Sequence, residues 1–298
     1  MNAKINVLLA RTPIVTDGAW GTQLQARGLS SGECPDAWNL THPSQVEAVA
    51  RSYVEAGSQI ILTNTFGANR LSLDKHGLAD QAVAINQAGV VISRRAAAGS
   101  ALVFASIGPS GKVLMMGDVT EAALTDAFTE QARALADAGA DALVVETMSD
   151  LAEARLAIQA AKATGLPVVA SLVFDSGKDK DRTMMGITPE KAATELEVAG
   201  ADVVGANCGQ GIAGYIKVCQ RMRSSTSLPI WIKANAGLPV LVEGRITYQI
   251  APSQFAAHVP DLAQAGASFI GGCCGTSPEF IREICSVVKR LQNPAGQT

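Results

Sequence analysis

The sequence predicts an α/β protein whose 298 residues form a single (β/α)8 barrel, also called a TIM barrel. The first reason is that one pattern, a short apolar run followed by an Ala-rich amphipathic segment, recurs eight times. The second is that the runs are nearly continuously apolar, which is typical of parallel strands buried on both faces. A doubly wound sheet is the alternative. It would be favoured by a GxGxxG motif after the first strand, where the chain has TDGAWGTQL instead.

Each expected strand is an apolar run that ends in small or polar residues. The runs are PIVTDGA (13–19), SQIILTNTF (58–66), ALVFASIGP (101–109), DALVVETM (141–148), PVVASLVF (167–174), DVVGANC (202–208), PIWIKANAG (229–237) and SFIGGCCG (268–275). Ser149 and Glu153 indicate the start of one intervening helix. Helix C-termini are expected at glycines, namely Gly139, Gly165, Gly200 and Gly266. No linker interrupts the pattern, so we expect one domain over residues 1–298 with a core at about 11–292.

The composition excludes several classes of protein. With 48% hydrophobic residues, 17% charged residues and a net charge of −3, the chain is too apolar for disorder and lacks the basic stripe of a nucleic-acid-binding protein. No apolar run approaches the ~18 residues of a membrane span, and no secretory signal is visible, so we expect a cytoplasmic protein without a membrane partner. Six cysteines in a reducing compartment indicate metal binding, catalysis or core packing.

In such a barrel the chemistry lies at the C-terminal ends of the strands. Three of the connections that follow these ends, 108–118, 175–187 and 237–251, are longer than the ~2–6 residues usual for such turns, which is typical of lids and binding loops. The predicted strand ends form a polar ring that consists of Asp17, Asn64, Ser106, Glu146, Asn207, Cys208, Asn235, Cys273 and Cys274.

Cys208, Cys273 and Cys274 are the most specific pattern in the sequence. Cys208 ends the sixth strand and the vicinal pair ends the eighth, so the three thiols would share one face of the barrel. Adjacent strand residues point to opposite sides, but the glycines of GGCCG permit a bend that brings both sulfurs inward. Three ligands with an open fourth position are typical of a catalytic zinc, and sulfur selects zinc over magnesium. We expect one Zn²⁺ per chain.

An open zinc site made of three thiolates is suited to binding a fourth sulfur. A thiol on zinc is deprotonated, and the thiolate is the nucleophile, so the site predicts alkyl transfer to a thiol. Core packing is the alternative for any cysteine, and we adopt it for Cys34, Cys219 and Cys285. The histidines follow loop or helix patterns and are left out of the metal site; they are His42, His76 and His258.

Asp17 and Glu146 are candidate anchors for an ammonium group, because a carboxylate at a strand end is costly to bury unless it is paired. Gly18 would let the backbone approach a ligand closely. Capping of a turn or of the next helix is the alternative for both acids. Asparagines at other strand ends, Asn64, Asn207 and Asn235, could orient these groups.

Two methionine pairs lie in the long loops of the same face. Met115–Met116 and Met184–Met185 could form an adaptable apolar surface that receives a bulky donor, or they could simply pack the loops down.

Three other kinds of protein remain open at this point. Cys273 and Cys274 could cycle through a vicinal disulfide, which would leave Cys208 without a role. The barrel could bind zinc or thiols without catalysis. A lyase or aldolase would need a lysine at a strand end, and Lys233, two places before the end of its strand, is the candidate.

At these motifs the sequence resembles the homocysteine S-methyltransferase family. The matching stretches run from residue 13 to about residue 290, and the pair GANC and GGCCG is the most specific. They are DGAWGTQL, CPDAWNLTHP, LTNTFGANRLSL, ASIGPSG, VVETMSDLAEA, GANCGQG and GGCCGTSPEFI.

The resemblance implies zinc on Cys208, Cys273 and Cys274, with homocysteine bound through its sulfur and Asp17 and Glu146 near its amino group. It implies that the zinc-bound thiolate takes a methyl group and that methionine is formed. The identity of the thiol comes from the family alone, and another small thiol stays open.

The methyl donor is expected to be a methylcorrinoid or a methyl-onium compound. LTNTFGANRL and CPDAWNLTHP look most like the cobalamin-dependent methionine synthase branch. The betaine branch carries a Tyr directly after the position of Phe66, where this chain has Gly67. The large synthases carry further domains, whereas this sequence stops after one barrel. We therefore favour a corrinoid on a separate protein, with S-methylmethionine next.

Overall fold

The computed structural model describes residues 3–242 and 245–293. Within them, eight parallel strands follow one another around a barrel with helices between them, which confirms the expected fold class. The barrel strands, labelled β1 to β8 in chain order, are Ile14–Val15, Ile60–Ile61, Leu102–Ile107, Ala142–Met148, Val168–Leu172, Val203–Gly211, Ile230–Asn235 and Ala267–Gly272.

The helices cover the outside of the barrel and one of its ends. Labelled α1 to α13 in chain order, they are Ala3–Leu9, Gly21–Gln25, Trp38–Thr41, Pro43–Ala56, Arg70–Leu73, Ala82–Ala97, Glu121–Asp137, Leu151–Lys162, Pro189–Val198, Ile212–Arg223, Pro252–Ala256, Val259–Gln264 and Pro278–Gln292. Single 3₁₀ turns occur at Asp74–His76, Ala79–Gln81 and Leu114–Met116. In the described ranges no helix is both long enough and apolar enough to span a membrane.

The helix ends follow the sequence signals closely. All four glycines expected at helix C-termini have a left-handed backbone, with φ between 79° and 106°. This conformation suits glycine because it has no Cβ, so it ends a helix at low cost. At the start of α8 the cap is Asp150, one residue after the expected Ser149, and its carboxylate accepts a hydrogen bond from the Ala152 amide at 2.8 Å.

The barrel interior is filled by apolar side chains from every strand. Trp231 on β7 is at its centre, with its ring 6.2 Å from that of Phe104 on β3 and 5.5 Å from that of Phe269 on β8. Ile5 of α1 joins this cluster, so the first helix covers one end of the barrel. The interior is therefore a packed core and not a channel.

The barrel is joined least regularly between β1 and β2. A continuous ladder of backbone hydrogen bonds joins β1 to β8 and then continues through β7, β6, β5, β4 and β3 to β2. Across the remaining seam the Gln59 amide donates to the Val15 carbonyl at 2.9 Å, and the Gln59 side chain accepts from the Val15 amide at 3.0 Å. A carboxylate completes the seam, because Asp17 Oδ2 accepts from the Leu62 amide at 2.7 Å.

The three long connections all leave the C-terminal ends of strands. The connection after β3 contains the 3₁₀ turn Leu114–Met116, and the connection after β5 contains a bridge between Ser176 and Arg182. The connection after β7 contains an antiparallel hairpin, in which Val240–Val242 pairs with Arg245–Thr247. They therefore stand around the same face of the barrel.

Close packing in the barrel interior can be tested by substituting Gly205. A Cβ on Gly205 of β6 would lie 2.1 Å from the Trp231 carbonyl oxygen, which is backbone and cannot rotate away. We expect Gly205→Ala to lower the free energy of unfolding by about 1–3 kcal/mol in urea denaturation. Gly21→Ala is the control, since a Cβ there meets nothing within 4 Å, and it should change stability by less than about 0.5 kcal/mol. Equal effects of the two substitutions would contradict the packing described.

Candidate active site

The barrel interior changes from apolar to polar toward the C-terminal ends of the strands. On β4, Ala142 and Val144 belong to the apolar cluster, and Glu146 comes two residues later. On β7, Lys233 follows Trp231 in the same way. Alternate strand residues point to the same side, so the polar layer lies directly above the apolar one. Its buried members are Ser106, Glu146, Ser171, Asn207 and Lys233.

The structure brings the three predicted cysteines together above this layer. The sulfur atoms of Cys208, Cys273 and Cys274 all lie within 4.8 Å of one another, and those of Cys208 and Cys274 are 3.8 Å apart. All six cysteines are free thiols. Cys219 and Cys285 are buried on α10 and α13, as expected for packing residues.

Local backbone geometry produces this convergence. Cys208 has a φ of 61°, a left-handed conformation that is uncommon outside glycine, and the β6 ladder becomes irregular immediately after it. On the other side, the Cys273 amide donates to the Ala234 carbonyl at 2.7 Å, and the Cys274 carbonyl accepts from the Ala236 amide at 2.9 Å. The end of β7, which lies between β6 and β8, therefore holds the vicinal pair in place after β8.

The three thiols hydrogen-bond to one another. Cys273 and then Cys274 donate hydrogen bonds to the Cys208 sulfur, which lowers the pKa of Cys208 to about 3. The same bonds raise the pKa of Cys273, and they raise that of Cys274 to about 11. Three sulfur atoms in mutual contact, one of which accepts hydrogen bonds from the other two, are the donor atoms of a soft metal site.

An oxygen beside the cluster supports a metal site as well. The side chain of Asn235 hydrogen-bonds to Cys208 and favours its thiolate. Its Oδ1 atom is buried without a hydrogen-bond partner in the described structure. Buried polar atoms are normally satisfied, and an orphan one is commonly explained by an ion or water. The residues present therefore fit a metal ion held by three sulfurs.

Glu146 is held as a buried carboxylate next to the cysteines. Its Oε1 accepts from the Ser106 hydroxyl at 2.5 Å, and its Oε2 accepts from the Asn207 amide group at 3.4 Å. Burial raises the pKa of Glu146, and the nearby positive charge of Lys233 opposes this increase. Two neutral donors leave the carboxylate with capacity for a cationic ligand.

Asn207 orients the groups on either side of it. Its Oδ1 accepts from the Thr147 amide at 2.8 Å and from the Ser171 hydroxyl at 2.6 Å, and its amide group donates to the Thr147 hydroxyl at 2.6 Å. Thr147 has a φ of 61°, which is strained for a β-branched residue. The hydrogen bonds of Asn207 therefore fix the turn that follows Glu146.

Asp17 is more fully engaged than a free ligand anchor would be. Oδ2 accepts from the Leu62 amide at 2.7 Å and from the Trp20 indole at 2.8 Å, and Oδ1 forms an ion pair with Lys233. Gly18 follows it, and a Cβ there would lie 2.8 Å from the Tyr53 ring and 2.9 Å from Thr276 Oγ1. The missing side chain of Gly18 is thus required by the packing of the protein itself.

A cavity of about 400 Å³ opens beside these groups, a size suited to a small ligand. Sequence reasoning missed part of its wall, because Trp20, Asp36 and Phe66 come from loops or a helix start and not from a strand-end pattern. It also missed Thr147, which lies on β4 next to Glu146. The lining residues are Gly18, Ala19, Trp20, Gly21, Thr22, Pro35, Asp36, Leu62, Thr63, Asn64, Phe66, Ser106, Glu146, Thr147, Cys208, Lys233, Gly272, Cys273 and Cys274.

Tyr248 was also missed by sequence reasoning. It follows the hairpin after β7, and its ring occupies the space that a Cβ on Gly275 would enter. Burial raises the pKa of its phenol. A lone tyrosine in a long loop carries no spacing signal, so only the fold could place it beside the cysteines.

Lys233 lies two residues before the end of β7, as expected. A lysine that forms a Schiff base is kept neutral by an apolar pocket or by a neighbouring cation. Lys233 faces the carboxylate of Asp17 instead. An acidic neighbour is the opposite of that arrangement, so the site gives no support to the aldolase alternative.

Comparisons with known proteins agree with the geometry. A profile of the homocysteine S-methyltransferase family matches residues 14–288. The methionine synthases of Mycobacterium tuberculosis and Mycobacterium leprae are each 33% identical over 97% of this chain, which spans 26% of the length of either relative. The metallated form of the homocysteine methyltransferase MmuM from Escherichia coli is 25% identical with a TM-score of 0.78, and the match covers 95% of this chain and 99% of that one.

The oxidized form of MmuM matches with the same identity and TM-score over 96% of this chain. The family match thus contains every barrel strand and all three clustered cysteines. The family profile matches most of the chain, a homocysteine methyltransferase has the same fold, and the cysteines cluster at the strand ends. The chain therefore belongs to the homocysteine S-methyltransferase family.

Proposed function

We propose that this protein transfers a methyl group to the sulfur of L-homocysteine and so forms methionine. The observation that carries the proposal is the cluster of three cysteine sulfurs within 4.8 Å, which opens on the same cavity as the Glu146 carboxylate. The cysteine cluster suits a soft metal that binds a thiol, and the Glu146 carboxylate suits the ammonium group of an amino acid. We expect residues 1–298 to act as one unit in the cytoplasm, where cysteines stay reduced.

Zinc is the metal proposed for the cluster, with Cys208, Cys273 and Cys274 as its ligands and one ion per chain. When bound, it would hold the sulfur of the acceptor as a thiolate, the nucleophilic form of a thiol. The chain supplies the rest: strained and glycine-flanked backbone aims three sulfurs at one point, and Asn235 supports Cys208 from the side.

Glu146 is proposed to bind the amino group of the acceptor. Ser106 and Asn207 hold its carboxylate in one orientation, so little conformational entropy is lost when the ligand arrives. We propose indirect roles for Asp17, Gly18 and Asn207, which support the residues that contact the ligand. Asn207 positions Glu146, Asp17 positions Lys233, and Gly18 lets this part of the wall pack against Tyr53.

A methylcorrinoid carried by a separate protein is proposed as the donor. The identity to the two methionine synthases supports this branch. Exposed apolar side chains on the connections that leave the C-terminal ends of the strands also support a large donor. They lie on the connections after β2, β3, β5 and β7 and are Phe66, Met115, Met116, Met184, Met185, Leu238, Val240, Leu241 and Ile246.

S-methylmethionine is the second candidate donor. It is a small methyl-onium compound, and the observation that favours a small donor is the cavity volume of about 400 Å³, which suits a small ligand. Transfer to another small thiol is a variant of the same chemistry. A barrel that binds zinc and thiols without catalysis would leave Glu146 and its hydrogen-bond network without a purpose.

The metal site is tested by exchanging one ligand. Protein purified without oxygen should contain about one zinc per chain, and Cys273→Ser should lose it, because two sulfurs hold zinc far more weakly than three. Cys285→Ser is the matched control: Cys285 is buried in α13, and its thiol donates to the Gly57 carbonyl at 3.3 Å, as a hydroxyl can. Metal content would be measured together with the proton released by homocysteine. Retention of zinc by the Cys273 variant, or zinc without thiol binding, would overturn the site.

Replacement of Glu146 tests amino-group binding. Glu146→Gln keeps the shape and removes the charge, so homocysteine should bind roughly 10- to 100-fold more weakly in titration calorimetry. Because burial raises the pKa of Glu146, wild-type affinity should fall on acidification at a higher pH than an ordinary carboxyl would cause, and the Gln variant should lose this dependence.

Glu153→Gln is the control for this experiment. Glu153 is also buried and also binds a serine, since the Ser110 hydroxyl donates to its Oε1 at 2.6 Å, but it is absent from the cavity wall. It should leave homocysteine affinity unchanged. A similar loss in both variants would show that Glu146 acts on stability alone.

The methionine pairs test the size of the donor. Changing Met115, Met116, Met184 and Met185 to Ser should raise the KM for a protein-borne methylcorrinoid roughly 10-fold or more, because apolar contact area is lost, while zinc content stays the same. The control changes Val91 and Val198, which are 52% and 79% exposed on α6 and α9, to Ser. Unchanged donor kinetics in the methionine variant would remove the docking role and favour S-methylmethionine.

A further inference from the structure

One charged group in the cavity is not used by the chemistry above. Lys233 lies on β7 inside the barrel with only 2% of its side chain exposed, and its Nζ is 6.0 Å from the centroid of the Trp231 ring. A buried ammonium is costly unless it is paired and hydrogen-bonded. Its presence in the wall of a substrate-sized cavity therefore calls for a partner.

Asp17 is that partner, and it lies outside the cavity lining. Its carboxylate is fully buried and accepts from Leu62, Trp20 and Lys233, so its position is fixed by three donors. Lys233 contributes to the cavity wall, as Glu146 does, whereas Asp17 does not. The ion pair is thus oriented with its negative member in the barrel wall and its positive member toward the cavity.

The ammonium of Lys233 has donor capacity left over. It carries three N–H groups, and in the described part of the chain Asp17 is the one side chain that accepts from it. Its register neighbour on β8 is Gly271, which has no side chain to cover it. A Cβ on Gly271 would lie 2.0 Å from Thr16 Oγ1, so β1 and β8 approach closely enough for Asp17 to reach Lys233.

We infer that Lys233 binds the carboxylate of the acceptor thiol while Glu146 binds its ammonium group. The inference rests on the proposed function and specifies the acceptor as a thiol that is also a zwitterionic α-amino acid. The two opposite charges line the same cavity as the cysteine cluster, so they match the two charges of such a ligand. Asp17 is then a positioning residue that orients Lys233.

The test separates the two charges of the ligand. Equilibrium binding is measured by calorimetry for L-homocysteine, for 3-aminopropanethiol, which lacks the carboxylate, and for 4-mercaptobutyrate, which lacks the ammonium. The protein variant is Asp17→Asn with Lys233→Met. It removes both charges together, and the amide oxygen that it leaves at position 17 can still accept from Leu62 and Trp20, which both donate to one carboxylate oxygen of Asp17. Thermal unfolding and zinc content show that the variant is folded.

The double variant should bind homocysteine and 4-mercaptobutyrate roughly 10- to 100-fold more weakly and 3-aminopropanethiol as well as the wild type does. Glu146→Gln should show the reverse preference between the two analogues. Equal weakening of all three thiols, or no change in any, would overturn the role of Lys233 and leave the proposed function standing. A folded, zinc-loaded wild type that binds none of the thiols would overturn the proposed function itself, and this assignment with it.

Discussion

The carboxylate of Asp17 is the contact on which the barrel and its cavity both depend. It bridges β1 to β2 through the Leu62 amide, at the seam where the backbone ladder is least complete, and it reaches β7 through Lys233. A fully buried charge is tolerated only when donors surround it, and Asp17 has three. The same contact that closes the barrel therefore fixes a cation in the floor of the cavity. Removal of one partner would leave the other buried and unpaired, which is strongly destabilising.

Functional groups converge here because strand periodicity and local strain act together. A period of two places polar side chains above the apolar layer on β3 to β7. Cys208 lies on β6 and the vicinal pair directly follows β8, the two strands that flank β7. Regular strands could not aim Cys208 and the vicinal pair at one point. Two non-glycine residues with a φ of 61°, Thr147 and Cys208, provide the deviation, and Asn207 lies beside both. Such conformations cost about 1–3 kcal/mol each, and they persist because the buried hydrogen bonds of Asn207 and Tyr215 hold them.

Sequence reasoning reached the fold and the cysteine cluster because both are encoded in local patterns. Apolar runs, terminal glycines and the GGCCG motif are readable from neighbours in the chain. The roles of Asp17 and Lys233 were not readable, since they are 216 residues apart and acquire meaning only as a pair. The sequence predicts that Asp17 contacts a ligand. In the structure its carboxylate instead accepts hydrogen bonds from Lys233 on β7, from the Leu62 amide and from the Trp20 indole. Tyr248 and Asp36 reach the site from long loops, where no periodicity indicates which way a side chain points.

The sides of the cavity that we assign to the proposed acceptor and to the proposed donor are built by different physics. The acceptor side consists of buried charges and strained strand ends, each held by several hydrogen bonds, so a substitution there disturbs the barrel as well as the ligand. The donor side consists of exposed apolar residues on loops, which can change at little cost in stability. Under the proposed function, a protein of this fold could therefore keep one acceptor chemistry while its donor changed in size. The exposed apolar residues of these loops, with Met115 at 78% exposure, are then the part of this chain that we propose determines the identity of the donor.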